Sequence, residues 1–288
     1  MPALPPHVEL PVLPQAAIDF SRRSQDPNVT VDELGKIIEK DSGLTCDLLK
    51  HVNSSAFGLR HKVVSVNQAI VAISIQQCRL FLLKNCLEKE LLKCRSEFID
   101  PYEFAAVNLE RALFAREVAK LLNANTDLAY TAAMMMDFVL PMATHHFGRE
   151  YFQHLQMPES SRTTLVEFEQ NTFGWDHAYA AAQVMLSWEF PDDLICCVLL
   201  HHRGLKLFND KQLRKTAANA VALAACIPDS LDQMPHGLSL LTTLASQWPA
   251  FDLKTIANTV YLQYEEMTTR KTDHEPFLHR LDSLAAAR

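Results

Sequence analysis

The strongest constraint on this chain is its punctuation. Helix-start signals recur along its length, while the residues that let strands turn are scarce, with 7 glycines in 288 residues. A helix start needs a short polar side chain to accept from the free N–H groups of the first turn. Thr30 and Glu33 stand at capping-box spacing ahead of "VDELGKIIEKD". Ser65 precedes "VNQAIVAI" and Ser74 precedes "IQQCRLFLLKNC". Asp100 precedes Pro101, which fits the first helical position, with Glu103 in the first turn. Pro14 does the same near the start of "QAAIDFSRR". Between these signals the apolar residues keep helical spacing: Leu44, Leu48, Leu49 and Val52 share a face, as do Leu109, Ala112, Leu113, Arg116 and Ala119. Pro141 interrupts "TDLAYTAAMMMDFVLPMATHHFG" and Pro191 stops "WDHAYAAAQVMLSWEFP". The next segment, "DDLICCVLLHHRG", is short and almost wholly apolar, which places it centrally. Alternating Val/Ile/Thr runs are scarce, so the expected fold is all-α.

Composition sets the remaining bounds. The chain is 48% hydrophobic and 21% charged, enough apolar material for a sizeable core. Its net charge is -7 and its basic residues are spread out, which excludes nucleic acid as the main partner, because phosphate binding needs clustered positive charge. No apolar run reaches membrane-spanning length, and "MPALPPHVELPVLP" lacks the basic start and apolar core of a signal peptide. A soluble, cytoplasmic protein with no membrane partner is therefore expected. The 7 cysteines form no C-x-x-C pair and sit in apolar helical stretches, as small buried hydrophobes do in a reducing compartment.

Three places put ionisable groups on apolar helix faces. Asp137 stands in "AAMMMDFV" without a nearby sequence partner. A carboxylate buried there requires a cation, a donor or a proton. His177, in "DH", has Ala181, Val184 and Trp188 on its face and so points to the core. His201 and His202 end an apolar helix; adjacent helical residues point about 100° apart, so at most one of the two is expected to aim at a given centre. Such a set reads either as a buried metal site or as an Asp–His hydrogen bond with the other imidazoles satisfied locally. His145 and His146 read as an exposed helix end. There is no H-x-x-x-H, H-E-x-x-H, G-x-S-x-G, Walker A or G-x-G-x-x-G pattern.

The order of motifs resembles the HDOD family, the HD-related output domains of bacterial signalling proteins. In "KDSGLTCDLLKHVNSSAFG" and "SVNQAIVAIS", Asp41, Leu44, Leu48, Leu49, Asn53, Ser54, Phe57, Gly58, Ser65, Ala69 and Ile70 fit the N-terminal pattern. Ser42 replaces the usual Pro, and Ile73-Ser74 stands where Leu-Gly is common. Downstream, Glu167 or Glu169, then Gly174, Asp176, His177, Trp188, Pro191, His201 and His202 occupy the second half of the pattern. The resemblance implies an HDOD domain over residues 10–210, with an N-terminal helical lobe to about 98 and an HD-like helical bundle from about 100. Residues 211–288 are expected as a helical region packed on the HD-like lobe, and those after about 228 carry no signature.

The resemblance also implies a site. HD phosphohydrolases hold metal with a first His, a His-Asp doublet and a later Asp. Carried over by position, these fall on Glu110, on Met136 and Asp137, and near Ala225. A thioether is a poor ligand for the ions that hydrolyse phosphoesters, so the inherited site reads as broken at Met136 and near Ala225, with no metal, no cofactor and no catalytic residue expected. Asp137 is then expected to be buried, with His177 as its first candidate partner. The implied function is a non-catalytic regulatory or scaffolding output of signal transduction that docks a protein partner. The alternative is a divergent metal-dependent phosphohydrolase acting on a nucleotide or cyclic dinucleotide, with Glu110, Asp137, His177 and His201 or His202 around a divalent ion. A third reading keeps a small nucleotide as ligand, with phosphate contacts from Arg111 and Arg116.

Overall fold

The caps read from the sequence do start helices. Thr30 accepts from the Glu33 N–H while Glu33 accepts from the Thr30 N–H, closing the capping box of α2 (Val31–Glu39). Asp100 accepts from the N–H groups of Tyr102 and Glu103 at the start of α6 (Pro101–Leu122). The structure is a computed structural model, and it describes residues 13–54, 57–59, 61–91, 96–158, 161–268 and 274–286. Every regular element among the described residues is helical. None of these helices is by itself long and apolar enough to cross a membrane.

The chain forms two units. The first comprises the described residues up to 91 together with Leu186–Phe190. It contains α1 (Gln15–Arg23), α2, α3 (Ser42–Val52), α4 (Val66–Ile73) and α5 (Ile75–Leu91). Phe20, Leu34, Ile38, Leu48, Ile70 and Leu82, one or two from each helix, are fully enclosed in its core. Asn53, at the C-terminus of α3, donates to the carbonyls of Leu49 and Val63 and accepts from the Val63 N–H. It thus closes the loop that holds Ser54 and Gly58, and these family-motif residues serve the turn.

The second unit runs from residue 96 to Met185 and from Pro191 onward. After α6 come α7 (Thr126–Met135), α8 (Leu140–His146), α9 (Gly148–Leu155), α10 (Leu165–Phe173), α11 (His177–Ser187) and α12 (Asp192–Leu199). A 3-10 turn at His201–Arg203 leads to α13 (Leu205–Asn209), α14 (Ala217–Ala224), α15 (Gly237–Gln247), α16 (Leu253–Met267) and α17 (Phe277–Ala286). Helix α6 is the axis, with α7, α14 and α16 packed around it. Phe114 of α6 meets Phe251 and Phe277 edge-on at 6.1 and 5.5 Å. Burying one such ring stabilises the fold by roughly 1.5–3 kcal/mol. Every residue of α14 is buried, and its alanines let neighbouring backbones come close. Cys78, Cys86, Cys197 and Cys226 are buried, whereas Cys46 and Cys196 are exposed; Cys94 lies outside the described residues.

Candidate metal centre

The centre is built around a helix break. A proline in a helix clashes with the carbonyl four residues earlier, which for Pro141 is that of Asp137. Helix α7 accordingly ends at Met135 and α8 begins at Leu140, so Asp137 sits in the turn between them and not inside one helix. Its carbonyl accepts from the Leu140 N–H at 2.9 Å. Its side chain is buried, with the carboxylate aimed inward.

Asp137 has a partner the sequence did not single out. Arg111 Nη1 donates to Asp137 Oδ2 at 2.7 Å, and Gln233 Nε2 donates to the same oxygen at 3.0 Å. The rest of the guanidinium is occupied as well: Nε and Nη2 donate to the Ile227 carbonyl at 3.1 and 2.5 Å, and Nη2 donates to Asp229 Oδ2 at 2.8 Å. The expected first partner, His177, brings Nε2 only to 3.6 Å from Oδ1. Guanidinium takes precedence because its planar donors match a carboxylate and stay charged when buried. Arg111 therefore has no phosphate contact to offer. Arg116 donates to Gln263 Oε1 and lies over the Tyr130 ring.

Three imidazoles converge on the other oxygen. His177 opens α11, where Gly174 ends α10 in the left-handed region (φ +79°) and Asp176 accepts from the Tyr179 N–H. Glu169 accepts from His177 Nδ1 at 2.6 Å and from the His177 N–H at 2.9 Å, and its other oxygen accepts from the Tyr151 hydroxyl. Of the two candidate glutamates, Glu169 thus serves the site, while Glu167 completes the capping box with Thr164. His201 Nδ1 lies 2.6 Å from the Val198 carbonyl, and its Nε2 lies 3.2 Å from Asp137 Oδ1. His202 Nε2 is 2.7 Å from His177 Nε2. Both members of the doublet therefore reach one centre, against the expectation of one. The reason is local: α12 ends at Leu199, and the pair sits on a terminal 3-10 turn, end-on to the centre, instead of on the flank of a helix.

The charges follow from this packing. Burial alone would raise the Asp137 pKa, but His201 and the Arg111 charge outweigh it and hold the carboxyl far below the usual range. Burial lowers the His177 pKa, and the Glu169 and Asp137 carboxylates more than reverse this, raising it to about 9. His202 is pushed well down by burial and by its two imidazole neighbours.

The remaining inherited positions do not join the centre. Glu110 accepts from the Phe277 N–H at 2.7 Å and lies 3.0 Å from His274 Nε2, so it ties α6 to the C-terminal segment. Glu110 and Arg111 are helix neighbours about 100° apart, and it is Arg111 that faces Asp137. Met136 is buried in the core, and Ala225 caps α14. Trp188 and Pro191 are packing and helix-start residues: Trp188 is buried, and Pro191 immediately precedes α12. His145 and His146 end α8 in exposed positions.

The four donor atoms, Asp137 Oδ1 and one ring nitrogen each from His177, His201 and His202, lie within 4.8 Å of one another. Ligands bound at about 2.0–2.2 Å in a tetrahedron sit about 3.3–3.6 Å apart, so the donor set is close enough to close on a single zinc-like ion. Two spaces adjoin it. A cavity of about 10 Å³ beside Arg111, Asp137 and Gln233 has room for one water. An open groove of about 710 Å³ passes His202 and is lined also by Trp175, Tyr179, Arg203 and Lys206.

Comparison with known proteins agrees with this architecture. The crystal structure of an HDOD domain protein of unknown function from Geobacter sulfurreducens matches with a TM-score of 0.59 and 17% identity, covering 97% of this chain and 91% of that one. A "Putative phosphohydrolase" from Shewanella amazonensis SB2B matches with a TM-score of 0.64 and 18% identity, over 88% and 91% of the two chains. A "Putative signal transduction protein" from Marinobacter aquaeolei VT8 matches with a TM-score of 0.56 and 18% identity, over 97% of this chain and 59% of that one. An uncharacterised protein of Treponema pallidum (strain Nichols) is 23% identical over 276 residues, 91% of this chain, and the chain spans about half (51%) of that protein's length. The family model of the HDOD domain matches residues 10–204. The chain belongs to the HDOD family.

Proposed function

We propose that the chain is a non-catalytic regulatory module of signal transduction that acts by binding a protein partner. One observation carries this reading: the Arg111 guanidinium is locked onto Asp137 Oδ2. Hydrolytic HD-type chemistry needs that carboxylate to serve metal ions with an open coordination position. Here one of its oxygens is spent on a fixed cation, Met136 supplies a thioether where a ligand is needed, and Glu110 is held by His274 and Phe277. The naming of the Marinobacter relative as a signal transduction protein supports the same reading. The exposed apolar side chains Phe57, Leu59, Val64 and Val71 in the first unit are consistent with a binding role.

A second reading, a metal-dependent phosphohydrolase, is favoured by the groove. It brings Arg203 and Lys206, suited to phosphate, to the outer side of His202. Purified protein assayed with Mn, Ni, Fe and Zn on nucleotides, cyclic dinucleotides and bis-p-nitrophenyl phosphate separates the two. The regulatory reading predicts rates no higher than those of the His201→Gln variant. Metal-dependent turnover that this variant loses would overturn it.

A further inference from the structure

The nitrogen and oxygen atoms of the centre crowd around one point. His177 and His201 each commit Nδ1–H to an acceptor at 2.6 Å, Glu169 and the Val198 carbonyl. Each ring is thereby turned so that its Nε2 faces the centre. His201 Nε2 lies 3.2 Å from Asp137 Oδ1. Both atoms are fully buried and neither has a hydrogen-bond partner. A buried imidazole nitrogen and carboxylate oxygen this close need a proton or a metal cation between them. A hydrogen on His202 Nε2 can bridge to His177 at 2.7 Å, but it does nothing for the His201–Asp137 pair.

A metal ion satisfies the His201–Asp137 and His177–His202 contacts together. We propose that Asp137 Oδ1 and the Nε2 atoms of His177, His201 and His202 bind one zinc-type divalent cation in a closed, four-coordinate structural site. The spacings of 2.7, 3.2 and 3.6 Å among these atoms bracket the edge of a zinc tetrahedron, about 3.3–3.6 Å. The outer shell is already built. Glu169 orients His177, the Val198 carbonyl orients His201, and Arg111 with Gln233 fixes the second oxygen of Asp137. Arg111 also favours a count of one, because a carboxylate whose Oδ2 holds a guanidinium has no second oxygen with which to bridge two ions. Four protein ligands leave no position for an activated water, which separates this site from a hydrolytic one.

The site is tested on the intact protein without any turnover assay, so its failure leaves the regulatory reading standing. Protein purified without chelator is analysed for metal, then stripped, and reloaded with zinc or cobalt. The expected results are close to one ion per chain, a higher Tm on zinc reloading, and an intense visible cobalt spectrum of tetrahedral type. His201→Gln and His202→Gln, with unchanged far-UV circular dichroism, should each lose the ion. Less than a tenth of an equivalent, together with no change in Tm at excess zinc, overturns the site. Full metal retention in both variants overturns the ligand assignment, and a weak six-coordinate cobalt spectrum overturns its closure.

Discussion

Asp137 shows what a single residue can and cannot disclose. That it would be buried and paired was readable from "AAMMMDFV", because an isolated carboxylate in an apolar run must find compensation. Its principal partner was not readable. Arg111 lies 26 positions away on a helix with polar residues on several faces, and Gln233 and Asp229 come from a loop with no signature. The imidazoles were legible as a set, since His177, His201 and His202 all fell on apolar faces or ends, but their convergence depends on ring orientations that spacing does not encode. The Arg111 network has a direct consequence. Removing the guanidinium leaves the Asp137 and Asp229 carboxylates without their cation, and breaking a buried pair from one side costs about 3–5 kcal/mol. Arg111→Met should lower stability in urea melts by that amount. A loss under 1 kcal/mol would mean that Asp137 is neutralised some other way.

At the scale of elements, the start signals proved more informative than the stops. Thr30, Ser65 and Asp100 cap their helices because their oxygens accept from first-turn N–H groups, a purely local interaction. The break at Pro141 was legible too, but its position was not: the proline acts on the carbonyl of residue 137, so the helix opens four residues upstream and delivers Asp137 into a turn. The His201–His202 pair was misjudged for the same kind of reason, since a terminal 3-10 turn replaced the assumed helix. Gly237 makes the packing of elements testable. It opens α15 against the end of the α14 segment, and a Cβ there would sit 2.2 Å from the Cys226 carbonyl oxygen, a backbone atom with little freedom to yield. At Gly174 a Cβ meets nothing within 4 Å, and only the positive φ of +79° resists it. Gly237→Ala should therefore lower Tm more than Gly174→Ala, whose cost is about 1–2 kcal/mol. Equal shifts would show that α15 does not depend on this close approach.

For the whole molecule, the all-α class and the family were legible because helix caps and ordered motifs are local and survive divergence. The later helices were not placed by any motif. Helices α16 and α17 complete the unit with Phe277, Leu253 and Val260, apolar residues whose identity can vary as long as volume is kept. Their role appears only through α6, where Phe114 meets Phe251 and Phe277, and where Glu110 is held by His274. This use of Glu110 is central to the account: a position that an HD-type hydrolase gives to metal here ties the bundle together, while Arg111 holds Asp137. On the proposed reading, the centre is a closed, single-cation element of a regulatory protein. Anomalous diffraction from crystals of the protein as purified tests that most directly. The account predicts one peak among Asp137 and the three histidines, with four protein ligands and no bound water. Two peaks about 3.5–4 Å apart, or one ion carrying water in an open position, would contradict it.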